Sequence, residues 1–126
     1  MSSEKSTDDF GQIRYKKMHK FKELKVWQRG RHLVKDIYLH TNNFPKDEIY
    51  GITSQIRRSV VSIPTNIAEG CGRNSNAELC RSLDIANGSA FELETLLIVS
   101  CDLKILSDEV FLFLNSQLQE IQKDDL

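Results

Sequence analysis

Apolar residues recur every three or four positions along most of this chain, which is the spacing of one face of an α-helix. No stretch shows the alternation of apolar and polar residues that is typical of a β-strand. The spacing predicts helices over about residues 24–41, 47–69, 76–104 and 108–122. Their connections are short, so we predict an all-α fold, an up-down four-helix bundle formed by residues 21–126.

Each predicted helix presents an apolar stripe to the bundle core. The second helix has a regular seam of aliphatic residues, Ile49, Ile52, Ile56, Val60, Ile63 and Ile67. The first helix has a less regular inner stripe, Trp27, Gly30, Val34, Tyr38 and Thr41. Gly30 has no side chain, so we expect another helix to approach it closely.

A further set of large apolar side chains on the third and fourth helices exceeds what four packed stripes can bury. These residues are Phe91, Leu96, Val99, Leu103, Leu112 and Phe113. Exposed apolar area of this size usually marks a protein interface, and most soluble oligomers are homo-oligomers. We therefore predict that these residues form an interface between copies of the chain.

The second and third helices carry local signals of their own. Ser75, followed three residues later by Glu78, is a capping box that predicts the start of the third helix. Pro64 lies inside the second helix, where it removes a backbone donor and predicts a kink. The freed carbonyl needs a donor, and Ser62, Thr65 and Asn66 are the nearest candidates.

Polar and turn-forming residues surround this proline. We interpret them as a structural motif that braces the helix: Arg58, Ser62, Pro64, Asn66, Glu69 and Gly70. The alternative interpretation is a ligand or partner site. Glu69 lies near the carboxyl end of the helix, where its charge opposes the helix dipole. We therefore expect Glu69 to have a cationic partner, either Arg73 or an arginine of the Arg57–Arg58 pair.

Charge is distributed unevenly, although the formal net charge is only −1. Residues 14–35 contain nine basic residues and one acidic residue, whereas residues 36–126 contain seven basic and 14 acidic residues. Residues 1–20 show no apolar periodicity, and we interpret them as a flexible basic tail. The predicted nucleic-acid contacts are Arg14, Lys16, Lys17, Lys20, Lys22, Lys25, Arg29 and Arg31. The alternative is a solvated arm that binds nothing.

The sequence gives little support for catalysis, a metal or a cofactor. His32, Asp36 and His40 share one face of the first helix, a spacing that suits metal ligands, but we interpret them as a solvated polar face. No Glu has a His three residues later, which is the pairing that carboxylate di-iron bundles require. The three cysteines lack the Cys-x-x-Cys spacing of zinc and redox sites. No apolar run is long enough to span a membrane, and the first residues lack the apolar stretch of a secretory signal. We therefore expect a cytoplasmic protein without enzymatic activity.

The segment from Gln55 to Gly70, QIRRSVVSIPTNIAEG, closely resembles the signature of a family of bacterial proteins encoded in 23S ribosomal RNA intervening sequences. These four-helix bundles are often labelled S23 ribosomal proteins. Further matching positions are Trp27-Gln28, Phe44-Pro45, Tyr50-Gly51, Gly72-Arg73, Gly88-Ser89 and Glu92-Leu93-Glu94. The resemblance covers about residues 21–115.

This resemblance implies a left-handed four-helix bundle that assembles into a homopentameric ring. The family is similar to the accessory variability determinant protein of diversity-generating retroelements, a pentamer that partners a reverse transcriptase and nucleic acid. We therefore predict a non-enzymatic homopentamer that acts as an RNA-linked scaffold. A sequence pI of about 6.3 is low for an RNA coat. The alternative is a protein–protein adaptor, for example for a reverse transcriptase, without RNA affinity of its own.

Overall fold

Helices account for most of residues 20–123, which is the part of the chain that the computed structural model describes. The four α-helices are α1 (Lys25–Thr41), α2 (Ile52–Cys71), α3 (Asn76–Asp102) and α4 (Asp108–Lys123). Two short 3₁₀ helices, Phe21–Glu23 and Lys46–Glu48, precede α1 and α2. No strand occurs within these residues, so the all-α prediction is confirmed, with four helices as in a four-helix bundle. Apart from Lys20, the predicted flexible tail lies outside the described residues.

The aliphatic seam of α2 forms the centre of the core. Ile56, Val60, Ile63 and Ile67 have at most 1% of their surface exposed. Ile49 was predicted to belong to this seam, but it is 52% exposed. The physical reason is that Lys46–Glu48 forms a separate 3₁₀ turn, and α2 begins only at Ile52. The second helix therefore starts later than the predicted residue 47.

The buried face of α1 is rotated relative to the predicted inner stripe. Leu33 and Ile37, which do not belong to that stripe, are fully buried in the core. Tyr38 was predicted to lie on the stripe, but it is 40% exposed. Its ring lies at the edge of α1, where the guanidinium carbon of Arg57 is 4.5 Å from the ring centroid. The fully buried large side chains of α1 are therefore the aliphatic Leu33 and Ile37.

Serine caps start α3 and α4. The Ser75 hydroxyl accepts a hydrogen bond of 3.2 Å from the backbone N–H of Glu78, which confirms the predicted cap. The Ser107 hydroxyl accepts one of 3.1 Å from the backbone N–H of Val110. Each cap satisfies a donor that the first helical turn leaves without a partner.

The carboxyl end of α3 lies two residues before the predicted position. The helix ends at Asp102, and Lys104 adopts a left-handed backbone conformation with φ of 64°. The N–H of Lys104 donates to the Cys101 carbonyl, and that of Ile105 donates to the Ser100 carbonyl. This pair of hydrogen bonds is a Schellman motif, which terminates a helix and usually has glycine at its left-handed position.

Close contacts join successive helices, and α4 packs back against α1. A Cβ atom at Gly30 would lie 3.4 Å from atoms of the Pro64 ring, so the predicted close approach at this glycine is confirmed. Between α4 and α1, the Gln117 side chain donates a hydrogen bond of 2.7 Å to the Asp36 carboxylate. The ring of His40 packs edge-on against Phe113 with a centroid distance of 5.7 Å.

Candidate functional site

We call residues 14–35 the basic segment. Its described part, residues 20–35, lies at the start of the first helix. Among the predicted nucleic-acid contacts, Lys20, Lys22, Lys25 and Arg31 are exposed, and Arg29 is half-buried. Lys20 lies in the turn before the first 3₁₀ helix, and Lys22 lies within that helix. The other three residues lie on α1. Three further predicted contacts lie outside the described residues: Arg14, Lys16 and Lys17.

Basic and acidic side chains are segregated onto different helices. Helix α1 has four basic residues and one acidic residue, Asp36. Helix α3 has one basic residue, Arg81, and five acidic residues, Glu78, Asp84, Glu92, Glu94 and Asp102. Helix α4 has one basic and three acidic residues. A polyanion is therefore attracted to the side formed by α1 and repelled by the side formed by α3 and α4.

A groove of about 660 Å³ lies between α1 and α2, beside the first 3₁₀ helix. Its lining is mostly apolar and includes two aromatic residues, with one charged group from each helix. The lining residues are Phe21, Trp27, Arg31, Val34, Val61, Pro64, Thr65, Ala68 and Glu69. We call this feature the aromatic groove. The concentration of basic residues in the sequence indicated Arg31, and Pro64 and Glu69 belong to the motif whose alternative interpretation was a ligand or partner site. Trp27 was interpreted only as part of the inner stripe of the first helix.

The amino-terminal wall of the aromatic groove is held in place by three contacts. The Phe21 and Trp27 rings meet edge-to-face, with centroids 5.2 Å apart and planes inclined at 69°. The Gln28 side chain donates a hydrogen bond of 2.9 Å to the Lys22 carbonyl. The guanidinium carbon of Arg31 lies 5.6 Å from the centroid of the Trp27 ring, within the range of a cation–π contact. These contacts present an aromatic surface and a cation together.

The opposite wall of the aromatic groove contains Glu69, whose predicted cationic partner is now identified. Its carboxylate lies 3.6 Å from the Arg73 guanidinium, with both side chains about half exposed. An exposed pair of this kind contributes little to stability. Arg57, the alternative partner, instead donates to the Thr41 hydroxyl at 3.0 Å. Arg58, the other alternative, is exposed.

Part of the predicted structural motif links α2 to α3. The Asn66 amide donates to the Ser62 carbonyl at 2.8 Å and to the Ser62 hydroxyl at 2.9 Å. The Ser89 hydroxyl of α3 donates to the same Ser62 oxygen at 2.8 Å. This arrangement favours bracing between helices. Ser89 was not predicted as part of the motif, because only the packing of α3 on α2 brings it there.

The predicted donors do not reach the carbonyl that Pro64 frees, which belongs to Val60. The Thr65 hydroxyl donates to the Val61 carbonyl at 2.7 Å, and Asn66 donates to Ser62. These side chains bond the carbonyl four residues before them, as is usual for such residues inside a helix. The assignment α2 (Ile52–Cys71) continues through the proline.

Five of the six predicted interface residues are exposed. Leu112, Phe91 and Leu103 are 65%, 56% and 55% exposed, respectively. Phe113 and Val99 are less exposed, at 48% and 37%. Leu96 differs from the other five, because it is half-buried and packs against the core cluster. The interface itself stays a prediction.

The cysteines and acidic residues give no indication of a reactive centre. Burial raises the pKa of the Cys71 thiol above its ordinary value, so this thiol is protonated at neutral pH. Burial, followed by the charges of Asp108 and Asp102, also raises the pKa of Cys101. Within residues 20–123, no group of three His, Cys, Asp or Glu residues is arranged to hold a metal ion. No helix in the same range is long and apolar enough to cross a membrane.

These features place the protein in the class of all-α proteins with four helices, with a basic first helix and acidic third and fourth helices. Residues 22–124 match the family model described as 23S rRNA-intervening sequence protein. The chain therefore belongs to this family, and the resemblance carried by the segment from Gln55 to Gly70 is confirmed. Comparison with curated proteins finds no match.

Proposed function

We propose that this protein is a non-enzymatic homo-oligomer, a pentamer, that binds RNA through its basic amino-terminal segment and the outer side of α1. The observation that carries this proposal is the segregation of charge between helices. Residues 20–35 contain six basic residues and one acidic residue. A polyanion therefore meets a single favourable side of the protein, which orients it on the surface.

Phosphate contacts by lysine and arginine gain free energy mainly from the release of ions condensed on the nucleic acid. One copy of the segment offers few such contacts. Several copies held in a ring present them together, and binding of the first raises the effective concentration of the others. A homo-oligomer therefore compensates for the near-neutral net charge of the single chain.

The exposed apolar residues of α3 and α4 support self-association, because a monomer leaves them in water. Charge supports a ring in particular. A ring joins two different surfaces of neighbouring copies, and here the basic side of α1 differs in sign from the side formed by α3 and α4. Gly30, early in α1, lies against Pro64, late in α2, whereas Thr41 at the end of α1 accepts a hydrogen bond from Arg57, early in α2, so the two helices run antiparallel. These contacts support the up-down arrangement that the short connections predict.

The test of RNA binding is fluorescence anisotropy with a labelled single-stranded RNA across a salt series. The first variant changes Lys20, Lys22 and Lys25 to Gln. The matched control variant changes Lys46, Arg81 and Lys123 to Gln, which alters the net charge equally on other surfaces. We expect the first variant to lower the slope of log K against log salt by about 0.7 for each phosphate that the substituted lysines neutralise in the unmodified protein.

The control variant is expected to keep a slope close to that of the unmodified protein. Equal slopes for the two variants contradict the proposed role of the basic segment. Absence of binding by the unmodified protein, even at low salt, contradicts RNA binding altogether.

A protein–protein adaptor is the second candidate function. The observation that favours it is the combination of acidic charge and exposed apolar side chains on α3, including Phe91 between Asp84 and Glu92. A basic protein partner with an apolar patch fits such a surface. Recovery of one stoichiometric protein partner from a nuclease-treated lysate, together with absent RNA binding, supports this candidate over the first.

A further inference from the structure

We propose that the aromatic groove between α1 and α2 binds an unpaired base of single-stranded RNA. This inference rests on the proposed RNA-binding function and adds to it a defined contact for a base. The basic segment attracts phosphates whatever the sequence or pairing of the RNA. The aromatic groove makes the protein select strands whose bases are unstacked.

The shape and chemistry of the aromatic groove fit a flat aromatic ligand. The Trp27 ring, the Phe21 ring and the Pro64 ring line a volume of about 660 Å³. Proteins that bind single strands commonly stack bases on aromatic side chains or on arginine planes. Arg31 lies over Trp27, so both kinds of surface occur at one place.

Three polar residues line the aromatic groove, Arg31, Thr65 and Glu69, and all three are exposed. Arg31 provides a cation for the phosphate of the bound nucleotide. The Glu69 carboxylate is half exposed, and it can accept hydrogen bonds from an amino group at the edge of a base. A base with an exocyclic amino group therefore fits better than uracil, which has none.

The position of the basic segment favours RNA as the occupant. Lys20 is exposed and directly precedes Phe21, which forms part of the wall of the aromatic groove. Lys22 and Lys25 are exposed on either side of the turn that follows. A strand whose phosphates follow these cations is brought to the mouth of the groove, so charge and apolar surface serve the same ligand.

The groove offers its own reporter, because Trp27 is the single tryptophan of the chain. The experiment titrates the full chain with labelled oligocytidine and with an abasic oligomer of the same length and charge. Anisotropy reports binding of the strand, and Trp27 emission reports stacking in the groove. We expect oligocytidine to quench the emission and to bind about tenfold more tightly than the abasic oligomer. Oligouridine is expected to quench less than oligocytidine.

A variant that fills the groove provides the structural control. Ala68 lines the groove and is half-buried, so Ala68→Leu is expected to remove the quenching while leaving binding of the abasic oligomer unchanged. The matched control is Ala77→Leu, at an exposed position near the start of α3. This variant is expected to behave like the unmodified protein.

Other outcomes overturn the inference in distinguishable ways. If both oligomers bind equally without quenching, the groove holds no base, but the proposed RNA binding by the basic segment stands. If neither oligomer binds at low salt, the proposed function fails together with this inference. If acrylamide quenches Trp27 emission less in the RNA-free protein than in a monomeric variant of it, a second copy of the chain occupies the groove and base binding is excluded.

Discussion

Lys104 holds a left-handed backbone conformation that residues other than glycine and asparagine rarely adopt. Its φ of 64° places the Cβ atom close to the carbonyl oxygen that follows it in the chain. This contact costs about 1–2 kcal/mol of conformational free energy. Two hydrogen bonds to the last turn of α3 maintain this conformation. The turn between α3 and α4 therefore contains strain that a different residue can relieve.

We expect Lys104→Gly to increase the free energy of unfolding by about 1 kcal/mol, because glycine adopts the left-handed conformation without the Cβ clash. The corresponding rise in melting temperature is about 4 °C, measured by circular dichroism at equal protein concentration. Lys104→Ala is the control, because it removes the charge and keeps the Cβ atom. An equal gain in the alanine variant contradicts the backbone explanation.

Contacts between elements depend on small residues where α2 meets α3. A Cβ atom at Gly70 would lie 3.0 Å from Leu79 Cδ1 and 3.0 Å from Ser82 Cβ. A Cβ atom at Gly88, by contrast, would have no neighbour within 4 Å. Both glycines lie inside helices, so changing each to alanine alters helix propensity equally. A difference in stability between the two variants therefore reports the packing around Gly70.

We expect Gly70→Ala to lower the free energy of unfolding by about 1–3 kcal/mol, because the two helices must move apart. Gly88→Ala is expected to raise it by about 0.5–1 kcal/mol, since alanine is the better helix former and fills open space. Urea denaturation of the two variants and the unmodified protein measures both changes. A gain in stability from Gly70→Ala contradicts the close contact.

Helix boundaries were predictable from the sequence where the residues that set them are neighbours in the chain. Ser75 and Glu78 are three residues apart, and their cap is found at the predicted start of α3. The predicted start of α2 was wrong because Pro45 and the acids after it resemble a helix start. Gly51, with ψ of −116°, interrupts the helix before Ile52. Only the tertiary fold shows that these residues form a separate turn.

The buried face of α1 and the aromatic groove depend on contacts between helices, which periodicity does not contain. Apolar residues cover more than one face of α1, and the packing of Leu33 and Ile37 in the core selects the buried one. The basic segment was evident from composition alone. The groove exists because folding brings Phe21 and Trp27 beside Pro64. No pattern within one helix indicates that meeting.

At the scale of the whole molecule, two features favour self-association: the separation of basic and acidic residues onto different helices, and exposed apolar residues. In the homo-oligomer proposed above, the acidic sides of α3 and α4 attract those basic residues of a neighbouring copy that RNA does not occupy. The exposed apolar residues of α3 and α4 supply the area that such a contact buries. High salt weakens only the first contribution, so an oligomer that persists in high salt depends mainly on the apolar residues.

Leu112→Glu tests that contribution without disturbing the core. Leu112 is 65% exposed, so a glutamate at this position stays in water in the monomer but is buried in an interface. We expect the variant to keep its helical circular dichroism and to be monomeric, with a mass by light scattering near the 14.5 kDa of one chain. Tyr50→Glu is the matched control, because Tyr50 is 95% exposed and lies outside the predicted interface. The unmodified protein and this control are expected to have five times the chain mass. A Leu112→Glu variant that stays fully assembled shows that copies of the chain meet through another face.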